Sequence, residues 1–528
     1  MQKLILAVPA AALVLVTLAV GASAQPAAAR QHFFVGFAST PGAAERALVE
    51  RHGGTVRVAF PEIDALAIEL SETTVGALAR ERGVRYVEQD PVRYPLGLAD
   101  SQLVPSTSNG LYGLITTRAT TVHAGAGLKK AYTGSGIRAC VADTGLDYLH
   151  PDIAANYKGG IDTVADDGDP WYRNLGLPDE THGTHVAGTV LGVNNTSGVY
   201  GVAYSSELYY ARVLRNDGGY SSDIMDGVRW LVEQARCKVV NMSLGGSFRS
   251  GTEENFYKSM RSKGALIVAA SGNDSASRIS YPAGYPVNIA VGAVDRNDVR
   301  ASFSNTGKNL DVAAPGVTVL SSVPQGLGSE AAVTTGAGPT TAYAFEYAGR
   351  TSGVTGTLVD CGKALAASNC GTNPPAGFVA LIQRGDISFA DKVKNATAAG
   401  AAAAVIYNNA AGEFTGTLGS ATASDGRAWI PAVSTSGTDG TTLKGQIGSS
   451  ATVTNVVSSW DHYDGTSMAT PHVSGVIALI WSVNPMMSNS TVEDHLFKTA
   501  NDLGAAGYDT TYGHGRVNAE QAVRRAGG

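Results

Sequence analysis

The stretch IRACVADTG at positions 137–145 indicates the fold class of this chain. Its apolar run ends at Asp143 and is followed by a turn at Thr144 and Gly145. A short run without alternating polar residues is typical of a strand buried in a parallel sheet. Sites in open α/β sheets form at the carboxyl ends of strands, so Asp143 is a candidate site residue. A cap on the next helix is an equally good interpretation of this carboxylate taken alone.

A second motif, GTSMATPH at positions 465–472, places Ser467 near the start of a predicted helix. Apolar residues follow at helical spacing, beginning with Val473 and Val476. Pro471 is predicted to lie in the first turn, where a missing N–H costs little. The unpaired N–H groups of a helix start favour a negative oxygen beside the hydroxyl. A lone serine there is more often an N-cap, so only partners elsewhere in the chain favour a nucleophile.

The motif HGTHVAG at positions 182–188 supplies a candidate base in His182. An uncharged serine needs an adjacent base, and that base needs a carboxylate to hold its tautomer. The pair His182 and His185 also suggests zinc, but neither an H-E-x-x-H glutamate nor a cysteine cluster accompanies it. The interpretation as a proton-transfer triad of Asp143, His182 and Ser467 is therefore favoured.

In these motifs, and in their order along the chain, the sequence resembles the subtilisin-like serine proteases. The matches are VADTG at 141–145, HGTHVAG at 182–188 and GTSMATPH at 465–472. The resemblance implies a doubly wound, mostly parallel α/β sheet. It also implies an endopeptidase that forms an acyl-enzyme on Ser467, with His182 as general base and Asp143 as its orienting carboxylate. The histidine motif argues against the related serine-carboxyl peptidases, which use Glu as the base.

Two further small-residue strands are predicted within VVNMSLGG (239–246) and VAASGN (268–273). The first runs into a glycine-rich edge suited to pairing with an extended peptide. The second ends in the amide of Asn273, which by resemblance donates to the oxyanion. The resemblance also implies that six residues line the primary specificity pocket: Ser243, Leu244, Gly245, Ala270, Ser271 and Gly272. Asp274 favours basic substrates only if its side chain points into that pocket.

A polar loop at 193–199 can present carbonyl and amide oxygens, which Ca²⁺ prefers. Taken alone, this stretch is better interpreted as a surface Ω-loop. The family's calcium loop looks similar and begins the same distance after the histidine, although its N-terminal glutamine ligand has no counterpart here. The resemblance implies a structural calcium, and no catalytic metal, with these ligands: Asp152, Val193, Asn195, Ser197 and Val199.

The composition indicates a globular protein of several domains. The chain has 528 residues, of which 44% are hydrophobic and 16% charged, and its net charge is −6. Neither a nucleic-acid footprint nor a polybasic membrane patch is present. We expect polypeptide substrates, no nucleic-acid or membrane partner, and a monomer.

The first 24 residues are predicted to be a signal peptide. Lys3 precedes an apolar run from Leu4 to Val20, and Ala22-Ser23-Ala24 forms an A-x-A cleavage site. A spanning helix is the alternative, but the run barely reaches the necessary length. No later stretch is predicted to cross a membrane, so we expect cleavage after Ala24 and secretion.

A small α+β domain is predicted between about 31 and 97, because its periodicity follows the order βαββαβ of a ferredoxin-like fold. The segment resembles the inhibitor propeptides of subtilisins, whose C-terminal tail lies in the active-site cleft like a product. By that resemblance Val92 to Leu98 is the tail, and self-cleavage falls between 96 and 112. The sequence does not identify the bond.

A shift to Gly, Ala and Thr marks an insert at 327–454, which divides the predicted catalytic domain into 115–326 and 455–528. Predicted strands at 378–382 and 404–408 flank a helix at 389–399. The segment GFVALIQRG (377–385) resembles a protease-associated (PA) domain of α/β type, which in this family bears on substrate access. A low-complexity linker is the alternative.

Disulfides are permitted in a chain predicted to be exported. Cys361 and Cys370 bound a short loop of the insert and are predicted to pair. Cys140 and Cys237 lie on two predicted strands, and either a bond or two buried thiols suits them. A non-catalytic peptide-binding or adhesion protein on the same fold is the rival hypothesis, although such a protein needs neither the triad nor Asn273.

Overall fold

The computed structural model of the protein describes residues 30–96, 111–173, 180–196, 198–410 and 412–528. The predicted signal peptide, Leu98 and Ser197 lie outside these residues, and so does most of the predicted self-cleavage region. Within the described residues, no helix combines the length and the apolar character needed to cross a bilayer.

The N-terminal domain (residues 30–89) has the βαββαβ order that the periodicity predicts. Its four strands form an antiparallel sheet in the order β2-β3-β1-β4. One face packs on its two helices, and the other packs on the next domain, where the Phe60 and Phe256 ring centroids are 5.9 Å apart. The elements are β1 (Arg30–Phe37), α1 (Ala43–Arg51), β2 (Thr55–Phe60), β3 (Ala65–Ser71), α2 (Glu72–Leu78) and β4 (Val84–Gln89).

The tail (residues 90–96) carries the short strand β5 (Val92–Pro95) and leads away from this domain. The catalytic domain then begins, and its first part contains α3 (Tyr112–Thr116), α4 (Ala119–Ala124), β6 (Ala139–Asp143), β7 (Tyr157–Asp162), α5 (His182–Leu191), β8 (Leu208–Arg212), β9 (Gly219–Tyr220), α6 (Ser221–Glu233), β10 (Val239–Met242), β11 (Leu244–Gly245), α7 (Gly251–Ser262), β12 (Leu266–Ala270), β13 (Ile289–Val294), β14 (Val312–Pro315) and β15 (Val319–Ser322).

The insert is a closed seven-stranded barrel with two helices packed on it. Its last strand continues to Ser458, so the predicted boundary at 454 falls within a strand. The elements are β16 (Gly328–Thr335), β17 (Gly338–Ala344), β18 (Thr351–Asp360), β19 (Val379–Gln383), α8 (Phe389–Ala398), β20 (Ala403–Tyr407), β21 (Ala432–Thr435), α9 (Gly437–Lys444) and β22 (Ser450–Ser458). The chain returns to the catalytic domain through β23 (Trp460–Tyr463), α10 (Thr466–Val483), α11 (Asn489–Lys498) and α12 (Ala519–Arg525).

The catalytic domain is built on a parallel sheet of seven strands in the order β14-β13-β12-β10-β6-β8-β7. Successive side chains of its strands enter two cores, since Val141 packs with α5 and α10 on one face and Ala142 with α6 and α7 on the other. The doubly wound sheet, the ferredoxin-like N-terminal domain and the separate insert confirm the predicted fold class.

Both cysteine pairs form disulfides. Cys361 and Cys370 close a loop of the insert, as the spacing predicts. Cys140 on β6 bonds to Cys237, which precedes the neighbouring strand β10. The second bond therefore joins the strand that carries Asp143 to the segment just before β10, the strand that precedes Ser243.

Candidate active site

Asp143 and His182 form a buried hydrogen-bonded pair. Asp143 ends β6, His182 begins α5, and Asp143 Oδ1 lies 2.6 Å from His182 Nδ1. The backbone N–H of Thr144 donates to the same carboxylate oxygen at 2.7 Å. Because Nδ1 is held by the carboxylate, Nε2 is the nitrogen that remains for proton transfer. Nε2 has no hydrogen-bond partner within the described residues.

The close approach of α5 to the sheet depends on Gly183. A Cβ at this position would lie 1.9 Å from the Tyr210 hydroxyl oxygen and 2.7 Å from the Thr144 carbonyl oxygen. Tyr210 is itself buried and donates its hydroxyl to that carbonyl at 2.5 Å. A larger residue at 183 would therefore displace His182 from Asp143.

Ser467 is the second residue of α10 and is fully buried. Its hydroxyl donates to the Ser243 carbonyl oxygen at 2.9 Å. Pro471 lies in the second turn of α10, not in the first as predicted, because the helix already begins at Thr466. Pro471 lacks the N–H that would bond to the Ser467 carbonyl, and the Ser243 hydroxyl donates to that carbonyl instead, at 2.8 Å.

The tail lies beside these residues as an extended strand. β5 pairs antiparallel with β11 on one side and β9 on the other. The Leu96 N–H donates to the Ser243 carbonyl oxygen at 3.2 Å, continuing the ladder. The tail therefore adds a strand to the glycine-rich edge, the mode of peptide binding predicted for it.

Asn273 directs its amide at the last described residue of the tail. Asn273 Nδ2 donates to the Leu96 carbonyl oxygen at 2.7 Å. The N–H and the hydroxyl of Thr466 both donate to Asn273 Oδ1, at 2.9 and 2.8 Å. These contacts assign the amide orientation, since oxygen and nitrogen are told apart by their partners. A carbonyl oxygen therefore lies at the amide that is predicted to donate to the oxyanion.

The six predicted pocket residues differ in what they contact. Ser243 offers its carbonyl to Leu96, and a Cβ on Gly245 would lie 2.8 Å from Leu96 Cδ1. Leu244 pairs through its backbone with Pro95, while its side chain is buried in the core. The opposite wall stays a prediction for the residues that lead from β12 to Asn273, namely Ala270, Ser271 and Gly272. Asp274 accepts a hydrogen bond from Asn305 at 3.4 Å.

His185 serves packing. Its ring stacks on Tyr463 with centroids 4.4 Å apart, and its Nε2 bonds to the Val319 carbonyl oxygen at 2.9 Å. Burial lowers the pKa of His185 to about 3, so the imidazole is neutral. No group of three or more His, Cys, Asp or Glu residues is placed to hold a metal within the described ranges.

Of the predicted calcium ligands, Val193, Asn195 and Val199 contact Asp152, but four protein donors already bond to its carboxylate. Asn195 Nδ2 donates to Oδ1 at 3.0 Å. Oδ2 accepts from the Val199 N–H at 3.1 Å, from the Ser322 hydroxyl at 3.2 Å and from the Trp460 indole N–H at 2.6 Å. Val193 bonds to the Asp152 carbonyl through its N–H. These donors do not fit a cation at this carboxylate, because Ca²⁺ requires oxygen lone pairs directed at the ion.

Glu253 is a functional candidate that the sequence analysis missed. The pattern Ser-x-x-Glu at 250–253 is typical of a helix cap, and the Ser250 hydroxyl does accept from the Glu253 N–H at 3.1 Å. The Glu253 carboxylate instead accepts hydrogen bonds from Arg93 of the tail, and both side chains are fully buried. No local signal distinguishes this role from capping.

Comparison with known proteins identifies the family. The model of the subtilase family matches residues 134–357, the PA domain matches 354–443, and the fervidolysin N-terminal prodomain matches 17–90. The chain is 37% identical to subtilisin E of Bacillus subtilis over 303 residues, which cover 56% of this chain and 74% of that relative. The chain belongs to the subtilase family.

Other subtilases agree with this assignment. An alkaline protease of Shouchella clausii is 41% identical over 266 residues, covering 50% of this chain and 63% of that protein. The psychrophilic subtilisin-like protease Apa1 from Pseudoalteromonas sp. AS-11 superposes with a TM-score of 0.63 at 33% identity, covering 78% of this chain and 96% of that one. Fervidolysin from Fervidobacterium pennivorans shares the fold, with a TM-score of 0.58 at 21% identity. The match covers 94% of this chain and 61% of that one. The protein is a subtilisin-like serine peptidase.

Replacing Asn273 with Ala is expected to lower kcat on a chromogenic peptide by about 100- to 1000-fold, a magnitude measured for this kind of substitution in a subtilisin. The amide that contacts the Leu96 carbonyl is lost, whereas KM is expected to change little. Asn309→Ala, which removes an amide donated to the Gly284 carbonyl, is the control. Equal kcat values for the two variants would contradict the assignment.

Chelation by EDTA is expected to lower the Tm of the protein by less than about 3 °C, because the Asp152 carboxylate is already bonded within the protein. Trp460→Phe removes one donor and is expected to cost about 1.5–3 kcal/mol of unfolding free energy. Trp481→Phe is the control, since that indole donates to a neutral carbonyl, of Met487. A large fall in Tm with EDTA that added calcium reverses would restore calcium at this loop.

Proposed function

We propose that this subtilase is a secreted endopeptidase that is made as a self-processing precursor. Ser467 attacks the scissile carbonyl, His182 takes its proton and returns it to the leaving amine, and Asp143 orients the imidazole and stabilises its cation. Asn273 and the Ser467 N–H hold the oxyanion. The observation that carries the proposal is the hydrogen bond from the Asn273 amide to the Leu96 carbonyl oxygen.

Attack requires a rotation of the Ser467 side chain. The hydroxyl bonds to the Ser243 carbonyl oxygen in this structure and must turn to His182 Nε2. Catalytic hydrogen bonds are often absent until substrate is bound productively, so this geometry is compatible with the role. The Leu96 N–H also bonds to the Ser243 oxygen, and a seated peptide therefore still satisfies that oxygen when the hydroxyl leaves.

The N-terminal domain and the tail act as an inhibitory propeptide in this proposal. Asn273 donates to the Leu96 carbonyl, which supports the bond that follows Leu96 as the processing site. Glu88 and Asp90 support the docking, since each accepts from the N-terminal N–H groups of a catalytic-domain helix, at Gly251 and Ser222. The predicted signal peptide at 1–24 would direct this precursor out of the cell.

The insert is proposed to govern access to the site. It joins the catalytic domain through β15 and β23, which pair antiparallel, and β23 leads directly into the loop before Ser467. The Thr415 hydroxyl of the insert donates to Asp464 at 2.8 Å, within that loop. A change in the insert would therefore reach the start of α10.

Expression of the precursor tests the proposal. The wild-type chain is expected to cleave itself after Leu96, so N-terminal sequencing of the product should begin at Gly97. Ser467→Ala is expected to stay unprocessed, and addition of mature enzyme should cleave it at the same bond. Ser474→Ala, which alters a buried serine two turns further along α10, should process normally. Self-cleavage of the Ser467→Ala chain, or a different first residue, would contradict the proposal.

Inhibition by the cleaved N-terminal domain and tail is expected to weaken as pH rises from about 4 to about 7. Burial in the complex raises the pKa of Asp90 to about 7, whereas a released aspartate titrates near its ordinary value of about 4. The released form therefore binds fewer protons in this window, and each pH unit can raise the inhibition constant up to about tenfold.

Asp90→Asn isolates this effect, since the amide keeps the acceptor for the Ser222 N–H without a charge. The inhibition constant of the variant is expected to change less with pH and to be lower than that of the wild type at pH 7. His32, whose pKa burial lowers, titrates in both proteins and so cancels from the comparison. Identical pH profiles would contradict the role of Asp90.

A further inference from the structure

The tail shows which residues of an extended peptide contact the enzyme on the amino-terminal side of the scissile bond. Leu96 carries the carbonyl under Asn273, and counting back places Arg93 in the fourth position. Arg93 pairs with Gly219 of β9, and Tyr94 pairs with Gly245 of β11. Alternate side chains of a strand point in opposite directions, so Tyr94 is 51% exposed whereas Arg93 is fully buried.

Arg93 enters a closed pocket whose floor is Glu253. Its Nε donates to Glu253 Oε1 at 3.4 Å, and its Nη2 donates to Oε2. The ion pair is bidentate, a geometry that suits a planar guanidinium better than the point charge of a lysine. A Cβ on Gly246 would lie 3.1 Å from Arg93 Nη1 and 3.5 Å from Arg93 Cδ, so glycine leaves the space that the side chain fills.

The carboxylate is held in place by the catalytic domain itself. The Ser221 hydroxyl donates to Glu253 Oε1 at 3.2 Å, and the Tyr285 hydroxyl donates to Oε2 at 2.7 Å. Ser250 fixes the backbone at the start of α7. The acidic pocket therefore belongs to the enzyme, and the tail supplies only the cation.

The charges of Arg93 and Glu253 explain why the pocket prefers arginine to a neutral side chain. Burial is the largest single effect on the pKa of Arg93 and would lower it, but the charge and the hydrogen bonds of Glu253, together with Tyr285 and Tyr257, outweigh burial and raise it. A buried charge without a partner is costly, and a neutral side chain in the fourth position would leave Glu253 in that state. An arginine in the fourth position pairs with Glu253 and removes this cost. A peptide that carries it is therefore expected to bind more favourably in the position for cleavage.

We propose that Glu253 is a specificity-determining residue, and that the enzyme prefers substrates with arginine in the fourth position before a cleaved leucyl bond. The inference rests on the proposed function, because the position is counted from the carbonyl at the oxyanion donor. The tail is then a template for substrates as well as an inhibitor.

Two chromogenic peptides that differ in a single non-hydrogen atom test the inference with the wild-type enzyme. Both have the sequence X-Tyr-Pro-Leu before the leaving group, where X is arginine or its neutral isostere citrulline. Truncating one partner of a buried charge pair costs several kcal/mol, so kcat/KM is expected to be at least about 100-fold higher for arginine. Lysine is expected to fall between the two.

Glu253→Gln then assigns the preference to this side chain. The variant keeps the shape of the pocket and is expected to reduce the ratio to below about 5-fold, because arginine loses its charged partner and citrulline no longer leaves a buried carboxylate unpaired. Glu254→Gln is the matched control, since that neighbour pairs with Arg249 and Lys258 on the outer side of α7 and should keep the ratio.

The outcomes separate the two proposals. Equal cleavage of both peptides by the wild type overturns the inference and leaves the proposed function intact. An arginine preference that survives Glu253→Gln also overturns it. If only binding of the cleaved tail depends on Glu253, the pair is an anchor of the propeptide and the inference is wrong. Cleavage of neither peptide, or cleavage at another bond, overturns both proposals.

Discussion

Strands that run parallel end at the same edge of their sheet, and the active site of this protein depends on that constraint. The neighbouring strands β6, β10 and β12 lead at this edge to Asp143, Ser243 and Asn273. Helices α5 and α10 pack on one face of the sheet and begin at the same edge with His182 and with Thr466 beside Ser467. Residues that are distant in the chain therefore meet at one edge of the sheet.

Ser243 links the parts of the site to one another. Its carbonyl oxygen accepts from the Ser467 hydroxyl and from the Leu96 N–H, and its hydroxyl donates to the Ser467 carbonyl. The last contact exists because Pro471 leaves that carbonyl without a helical partner. One residue after β10 thus fixes the start of α10 and binds the backbone of the peptide.

Buried polar contacts hold the docked N-terminal segment against the catalytic domain. Asp90 and Glu88 lie at the positive N-terminal ends of α6 and α7. Arg93 meets Glu253 in full burial, next to the helix start that Glu88 contacts. Arg93 and Glu253 are costly to bury unless they are paired, and this sets the register of the tail along the cleft. The register places Leu96, and not a neighbouring residue, under Asn273.

Local motifs, read with the family resemblance, led to Asp143, His182, Ser467 and Asn273 as candidate catalytic residues. Local patterns also predicted the ferredoxin-like order and the closed loop between Cys361 and Cys370, since strand ends, helix starts and short loops are decided by nearby residues. Only the tertiary structure decided that Cys140 pairs with Cys237, that α10 begins early enough to put Pro471 in its second turn, and that Asp152 bonds to Trp460. The same holds for Glu253, whose local pattern is that of a helix cap. These contacts join residues far apart in the chain, as Arg93 and Glu253 are at a separation of 160, and Asp152 and Trp460 at 308. Such pairings are set by how the sheet, the insert and the tail pack together, which no local pattern records.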